Sequence, residues 1–264
     1  RSLDMDILRA RGTPPDAPAL VFIHGGGWVI GHKDKQGLPL MYHLARRGWV
    51  CFAPSYRLGP HSTLERMIAD VKDAVRWVRA HAAEHGVDPR FIALSGGSAG
   101  AHLASLAALT AGDPTLQPGF EDSDTSVQAC VPFYGIYDLV DEAQHQPNRG
   151  MRWLLERHLV GESVAEAPER YARLSPLHRV RRDAPPFCVF HGALDNLAPV
   201  AGARDFVARL RETSAAPVAY VEYPGAHHAL EVFPSLRCMA AVHGATRFLS
   251  WVRAGGCQPQ PVSR

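Results

Sequence analysis

A serine, an acid, a histidine and a run of glycines in this sequence have the types and spacing that nucleophilic chemistry needs. Ser98 stands at the centre of Gly96-Gly97-Ser98-Ala99-Gly100, which fits G-x-S-x-G. In such an elbow the central residue sits on a strained turn, and glycines two positions either side let the flanking elements approach closely. A serine hydroxyl is a poor nucleophile without a base, and the oxyanion it creates at a carbonyl needs donors. Upstream, His24-Gly25-Gly26-Gly27-Trp28 places three residues without Cβ in succession, so that backbone N–H groups can face a substrate oxygen unobstructed. The candidate donors are the N–H groups of Gly26 and Gly27, with that of Ala99, the residue after the serine, as the third. His24 precedes the loop and reads as a structural residue rather than a base.

The carboxylate and the base should follow the serine in that order. Asp195 closes His191-Gly192-Ala193-Leu194-Asp195, and His227 and His228 lie together in Pro224-Gly225-Ala226-His227-His228-Ala229-Leu230. One of the two histidines is the candidate base. Asp195 also suits a helix cap, since a helix-like stretch follows it, and the two roles are compatible. Asp138, after the strand-like Val131-Pro132-Phe133-Tyr134, and Asp183 are the other candidate acids. The competing explanation of Ser98 is a glycine-rich turn that contains a serine by chance.

The elements around these residues alternate. Leu20-Val21-Phe22-Ile23, Phe91-Ile92-Ala93-Leu94, Phe187-Cys188-Val189-Phe190 and Val218-Ala219-Tyr220-Val221-Glu222-Tyr223 read as strands. Each of them ends just before one of the candidate groups. Leu64, Met67, Ile68, Val71, Ala74, Val75 and Val78 recur at the three-and-four spacing of one buried helical stripe. Leu236, Met239, Ala240, Val242, Phe248, Leu249 and Val252 predict the same for the last helix. Strands alternating with helices argue an α/β fold, a mostly parallel sheet flanked by helices on both faces. Residues 138–184 break the alternation and carry Met151, Trp153, Leu154, Leu155 and Leu159. They are expected to form a small helical cap over the site, with an ordinary surface helix pair as the alternative.

His24-Gly25-Gly26-Gly27-Trp28, Tyr56-Arg57-Leu58, the Ser98 elbow, the Asp195 loop and the Gly225-to-Ala229 segment together resemble the bacterial hormone-sensitive-lipase-like esterase family of the α/β-hydrolases. The resemblance runs from about Leu20 to Leu249. It implies Ser98 as nucleophile, Asp195 as acid and His228 as base, with His227 at a variable position. It also implies that Tyr56, Arg57 and Asp70 are structural, bracing the loop and helix behind the oxyanion site. The implied reaction is hydrolysis of short-chain acyl esters through an acyl-enzyme, with no metal or organic cofactor. Trp28, Trp153 and Leu154 are the expected substrate-lining residues. The chain departs from the family in carrying Ala99 where many members have an acid after the serine. Only about nineteen residues precede the first expected core strand, where the family has cap-forming helices. An aryl formamidase resembling Ser98-Ala99-Gly100-Ala101-His102-Leu103, a carbohydrate acetyl or feruloyl esterase, and a hydrolase-fold binding protein without catalysis remain as alternative functions. His102 would matter in the first of these, although on a buried helix it reads as a satisfied core residue.

Composition agrees with one catalytic domain over residues 1–264. The chain is 46 per cent apolar and 20 per cent charged, ordinary for a globular domain. A net charge of +2 is too small to suggest a nucleic-acid or anionic-membrane partner. The expected partner is a small-molecule ester, and nothing sets the oligomeric state. The cysteines, Cys51, Cys130, Cys188, Cys238 and Cys257, are odd in number and lack metal-site spacing. Buried free thiols in a reducing, cytoplasmic setting are therefore expected. No apolar run reaches the roughly twenty residues of a spanning helix. No signal peptide is read, although an anchor upstream of Arg1 stays open. Residues 254–264 are expected to be a flexible tail.

Overall fold

The alternating runs fold as alternating strands and helices in a computed structural model that describes residues 3–256. Strand β1 (Met5–Leu8) is followed by β2 (Ala17–Ile23) and helix α1 (Leu38–Ala45). Next come β3 (Val50–Pro54), α2 (Leu64–Ala80) and the short α3 (Ala82–His85). Strand β4 (Val87–Gly97) runs into α4 (Ala99–Leu109) with Ser98 alone between them. After β5 (Ala129–Phe133), α5 (Arg149–Leu154) continues as a wider π-helical turn over Leu155–Leu159, followed by α6 (Pro168–Arg173). The chain then forms β6 (Phe187–Gly192), α7 (Val200–Thr213), β7 (Val218–Tyr223) and α8 (Leu236–Arg253).

The seven strands make one sheet in the order β1-β3-β2-β4-β5-β6-β7. Every neighbouring pair is parallel except β1 with β3. Alternation along β2 shows how both faces are filled. Val21 and Ile23 join the side chains of α2, α4 and α7, whereas Leu20 and Phe22 join those of α1 and α8. With helices on both faces, all of β2, β3 and β5 is buried, as a parallel sheet requires.

Several expectations are refined by this packing. Leu64, Met67, Ile68, Val71, Val75 and Val78 are the buried stripe of α2, as their spacing predicts. In α8 Val242, Leu249 and Val252 are buried as expected, and Cys238, Ala241, Ala245 and Thr246 complete that side. Leu236 and Met239 are exposed, 91 and 42 per cent respectively, because the small residues bring α8 close to the sheet and turn the large ones outward. Strand β1 was not expected. Its Asp6 interrupts the apolar pattern and pairs with the Lys33 ammonium outside the sheet. Residues 138–184 lie between β5 and β6, where the cap was expected, but Leu155 and Leu159 anchor the segment in the main core. Cys51, Cys130, Cys188 and Cys238 are buried free thiols. Cys257 and the rest of the expected tail from residue 257 onward lie outside the described residues. Among the described residues no helix is long and apolar enough to cross a membrane.

Candidate active site

Ser98 sits between β4 and α4 with φ 54° and ψ −121°, a backbone state that costs a non-glycine residue about 1–3 kcal/mol. The surroundings hold it there. Its N–H donates to the Phe133 carbonyl at 3.0 Å, and its own carbonyl accepts the His102 N–H at 3.0 Å. Gly100 shows why the elbow needs glycine, since a Cβ at that position would lie 2.1 Å from the Ile23 carbonyl oxygen of β2. The turn lifts the hydroxyl above the carboxyl ends of the strands, where the loops after β2, β6 and β7 meet it.

From the β7 side, His228 places Nε2 2.9 Å from Ser98 Oγ and Nδ1 2.7 Å from Asp195 Oδ2. An ionised carboxylate can only accept, so Nδ1 carries the proton and Nε2 is left to accept from the serine. Asp195 comes from the loop after β6 and its side chain is fully buried. Burial alone would raise its pKa, but hydrogen bonds from His191 and His228 and the Ala198 N–H outweigh it. They hold the carboxyl far below the usual carboxylate range. Its second oxygen accepts the N–H groups of Leu197 and Ala198 at 3.0 and 2.9 Å. These lie in the loop before α7, whose cap position is Pro199 with no side-chain bond, so Asp195 is not the helix cap it also suited. The alternative acids are elsewhere: Asp138 bonds His178 at 3.2 Å, and Asp183 faces Arg181 at the surface. His227 is exposed beside the array.

From the β2 side, the glycine loop faces the same serine. Gly26 has φ 120°, and a Cβ there would lie 2.1 Å from the Ile30 carbonyl oxygen. Its carbonyl turns back to accept the N–H groups of Val29 and Ile30. Among the described residues no protein acceptor takes the N–H of Gly26 or Gly27, and the Ala99 N–H belongs to the unpaired first turn of α4. His24 is buried with Nδ1 on the Gly25 carbonyl at 2.8 Å, and burial lowers its pKa. The Tyr56 hydroxyl donates to the His24 carbonyl, and Arg57 grips Asp70 of α2 through Nε and a terminal nitrogen. Both contacts support the loop from behind.

Ser98, His228, Gly26 and Gly27 border a cleft of about 260 Å³, walled by Ile136, Met151, Leu197 and Val232. The expected lining residues are not among its walls. Trp28 is fully buried. Its positive φ of 63° turns the chain after Gly27, so the indole points inward and its N–H donates to His102 Nδ1 at 3.2 Å. Trp153 is 60 per cent exposed. It lies two residues, about 200° of helix, beyond Met151, which takes the cleft position, while Leu154 packs against the core. Gln36 and Tyr134 were missed altogether. Gln36 lines the cleft and accepts the Gly25 N–H at 2.6 Å, fixing the start of the glycine loop.

The BD-FAE family model matches residues 5–210. The chain belongs to the BD-FAE family. This BD-FAE member is 47 per cent identical over 251 residues to a probable carboxylic ester hydrolase, LipM, of Mycobacterium tuberculosis, covering 93 per cent of this chain and 58 per cent of LipM. Esterase LipC of the same organism is 42 per cent identical over 256 residues, covering 96 per cent of this chain and 63 per cent of LipC. The chain thus spans about three fifths of the length of these relatives. Among solved structures, the Thermogutta terrifontis esterase Est2 with propionate bound superposes with a TM-score of 0.80 at 30 per cent identity, covering 99 per cent of this chain and 93 per cent of that one. The same esterase phosphonylated by sarin superposes at 0.82, also at 30 per cent identity, covering 98 and 92 per cent. The fold is that of an α/β-hydrolase, and the resemblance to hormone-sensitive-lipase-like esterases agrees with these relatives.

Proposed function

We propose that this chain hydrolyses short-chain carboxylic esters through an acyl-enzyme on Ser98. The observation that carries the reading is the continuous array Asp195–His228–Ser98, with bonds of 2.7 and 2.9 Å, facing the Gly26–Gly27 loop. Ser98 Oγ attacks the ester carbonyl while its proton passes to His228 Nε2. The carbonyl oxygen takes up negative charge against the N–H groups of Gly26, Gly27 and Ala99. Asp195 holds the imidazole tautomer and stabilises the imidazolium. His228 then returns its proton to the departing alcohol oxygen, the C–O bond breaks, and the acyl group remains on Ser98. Water repeats the sequence, losing a proton to His228 as it attacks, and releases the carboxylic acid.

Apolar walls formed by Ile136, Met151, Leu197 and Val232 suit a short acyl or alcohol group. Met151 makes the segment 138–184 part of that wall, which supports its role as a small cap. The esterase names of the mycobacterial relatives and of Est2 support the same reaction class. The four buried thiols fit a reducing compartment, as a cytoplasmic protein would meet. The test is labelling with a fluorophosphonate followed by peptide mapping, with Ser98→Ala as control. Label should fall on Ser98, and Ser98→Ala should lose on the order of a million-fold in kcat while remaining folded. Label on another residue, or a folded Ser98→Ala protein that turns over esters well, refutes the assignment.

A further inference from the structure

A buried acid lies beneath the site, and the mechanism above does not use it. After His228 the chain bends inward at Ala229, whose φ is 64°, a conformation rare for alanine and held by its surroundings. Three residues beyond His228, Glu231 is fully buried. Its Oε1 has no hydrogen-bond partner, and its Oε2 accepts the Tyr134 hydroxyl. Tyr134 follows β5 and also has positive φ, 40°, with its N–H on the Phe190 carbonyl at 2.7 Å. Its ring meets the His228 imidazole at 61°, centroids 4.6 Å apart. The pair also reaches the elbow, because a Cβ at Gly97 would lie 2.6 Å from Tyr134 Oη and 3.0 Å from Glu231 Oε1.

Burying a carboxyl group with one oxygen unpaired is unfavourable, and an apolar side chain would fill the space without that cost. The acid stands where the elbow and the base converge, bonded to a ring that packs on His228. Burial pushes the Glu231 carboxyl up to about 7 and the Tyr134 hydroxyl well above its ordinary range. The phenol therefore keeps its proton and remains the donor.

We infer that Glu231 is a positioning residue for ester hydrolysis: by holding the Tyr134 hydroxyl, it clamps the Tyr134 ring against His228 and keeps Nε2 on the line to Ser98 Oγ. The inference rests on the Ser98–His228–Asp195 assignment. An imidazole free to tilt would still bind substrate in the same cleft but would meet the serine proton less often. The loss therefore belongs in kcat.

The test compares Tyr134→Phe, Glu231→Leu, Glu231→Gln and the double variant Tyr134→Phe/Glu231→Leu, using p-nitrophenyl acetate turnover and the rate of fluorophosphonate labelling. Tyr134→Phe and Glu231→Leu should each lower kcat roughly ten- to a hundred-fold with KM within about two-fold, and slow labelling in parallel. Glu231→Gln should stay within about three-fold of the parent, because its amide oxygen still accepts the phenol. The double variant should be no slower than the slower single variant, since both changes break one contact. It also leaves neither a buried acid nor a buried hydroxyl unpaired, so it serves if either single variant does not fold. Parental kcat in folded Tyr134→Phe and double variants, losses confined to KM, or additive losses would overturn the inference. An active Ser98→Ala protein would refute the underlying triad instead, so the two failures are told apart.

Discussion

Acidification should weaken this fold through His102, by an amount that can be worked from its surroundings. His102 lies on the second turn of α4, fully buried. Its Nδ1 accepts the Trp28 indole N–H at 3.2 Å, and its Nε2–H donates to the Leu174 carbonyl at 2.8 Å. The ring thus ties the helix behind Ser98 to the end of the glycine loop and to the segment 138–184, and it can do so only when neutral. Burial pushes its pKa from 6.5 down to about 4, against a smaller opposite effect of the Leu174 bond. The folded value lies below the unfolded one, so between them the unfolded chain binds the additional proton and stability falls as pH drops. The linkage gives a loss of about 1.2 kcal/mol at about pH 5.5 and about 2.4 kcal/mol at about pH 4.5, relative to neutral pH. Glu231, raised from 4.5 to about 7, acts in the opposite sense and loses stability as pH rises through that window. It is common to parent and variant, so the difference between them isolates His102. Urea unfolding of the parent and His102→Gln at several pH values is the assay, with the parent expected to lose the additional amounts just stated. Equal pH slopes in the two proteins would refute the reasoning, whatever their absolute stabilities.

The adjacent histidines should separate cleanly: His228→Ala nearly inactive and His227→Ala close to the parent, with the reverse result meaning that the base is misassigned. Asp195→Asn should lose about ten-thousand-fold in kcat. The N–H groups of Leu197 and Ala198 would hold the amide oxygen where Oδ1 now sits, leaving the NH2 to face Nδ1 and favour the wrong tautomer; wild-type kcat in the variant would exclude Asp195 as the acid. On p-nitrophenyl esters kcat/KM should peak at about C2 to C6, because each further methylene gains roughly 0.8 kcal/mol only where apolar wall remains to receive it. Met151→Ala should move that peak to longer chains, and an unmoved peak would mean that Met151 does not limit the acyl group.

Ser98, Asp195 and His228 were legible in the sequence as candidates because each follows within a few residues of the end of its own strand. A strand, a glycine turn and a polar residue are local patterns, and a parallel sheet delivers the carboxyl ends of its strands to one edge. What the sequence hid is whatever depends on long-range packing. Trp28 reads as a cleft residue because it adjoins the glycine loop, yet the sign of one φ angle sends it into the core toward His102, 74 residues away. In the first turns of α8 the rule that large apolar side chains mark the buried face fails for Leu236 and Met239, where Cys238 and Ala241 face the sheet, although it holds for Val242, Leu249 and Val252. Glu231 and Tyr134 are separated by 97 residues. Nothing local joins them, although an acid set between Leu230 and Val232 is the kind of interruption that a purely structural turn has no need of. Local patterns therefore mark the residues at strand ends and pass over those that only long-range packing brings beside them. Glu231 comes from the loop of His228, three residues on, where the chain has turned back into the core, and Tyr134 from the end of β5, a strand that carries none of the three.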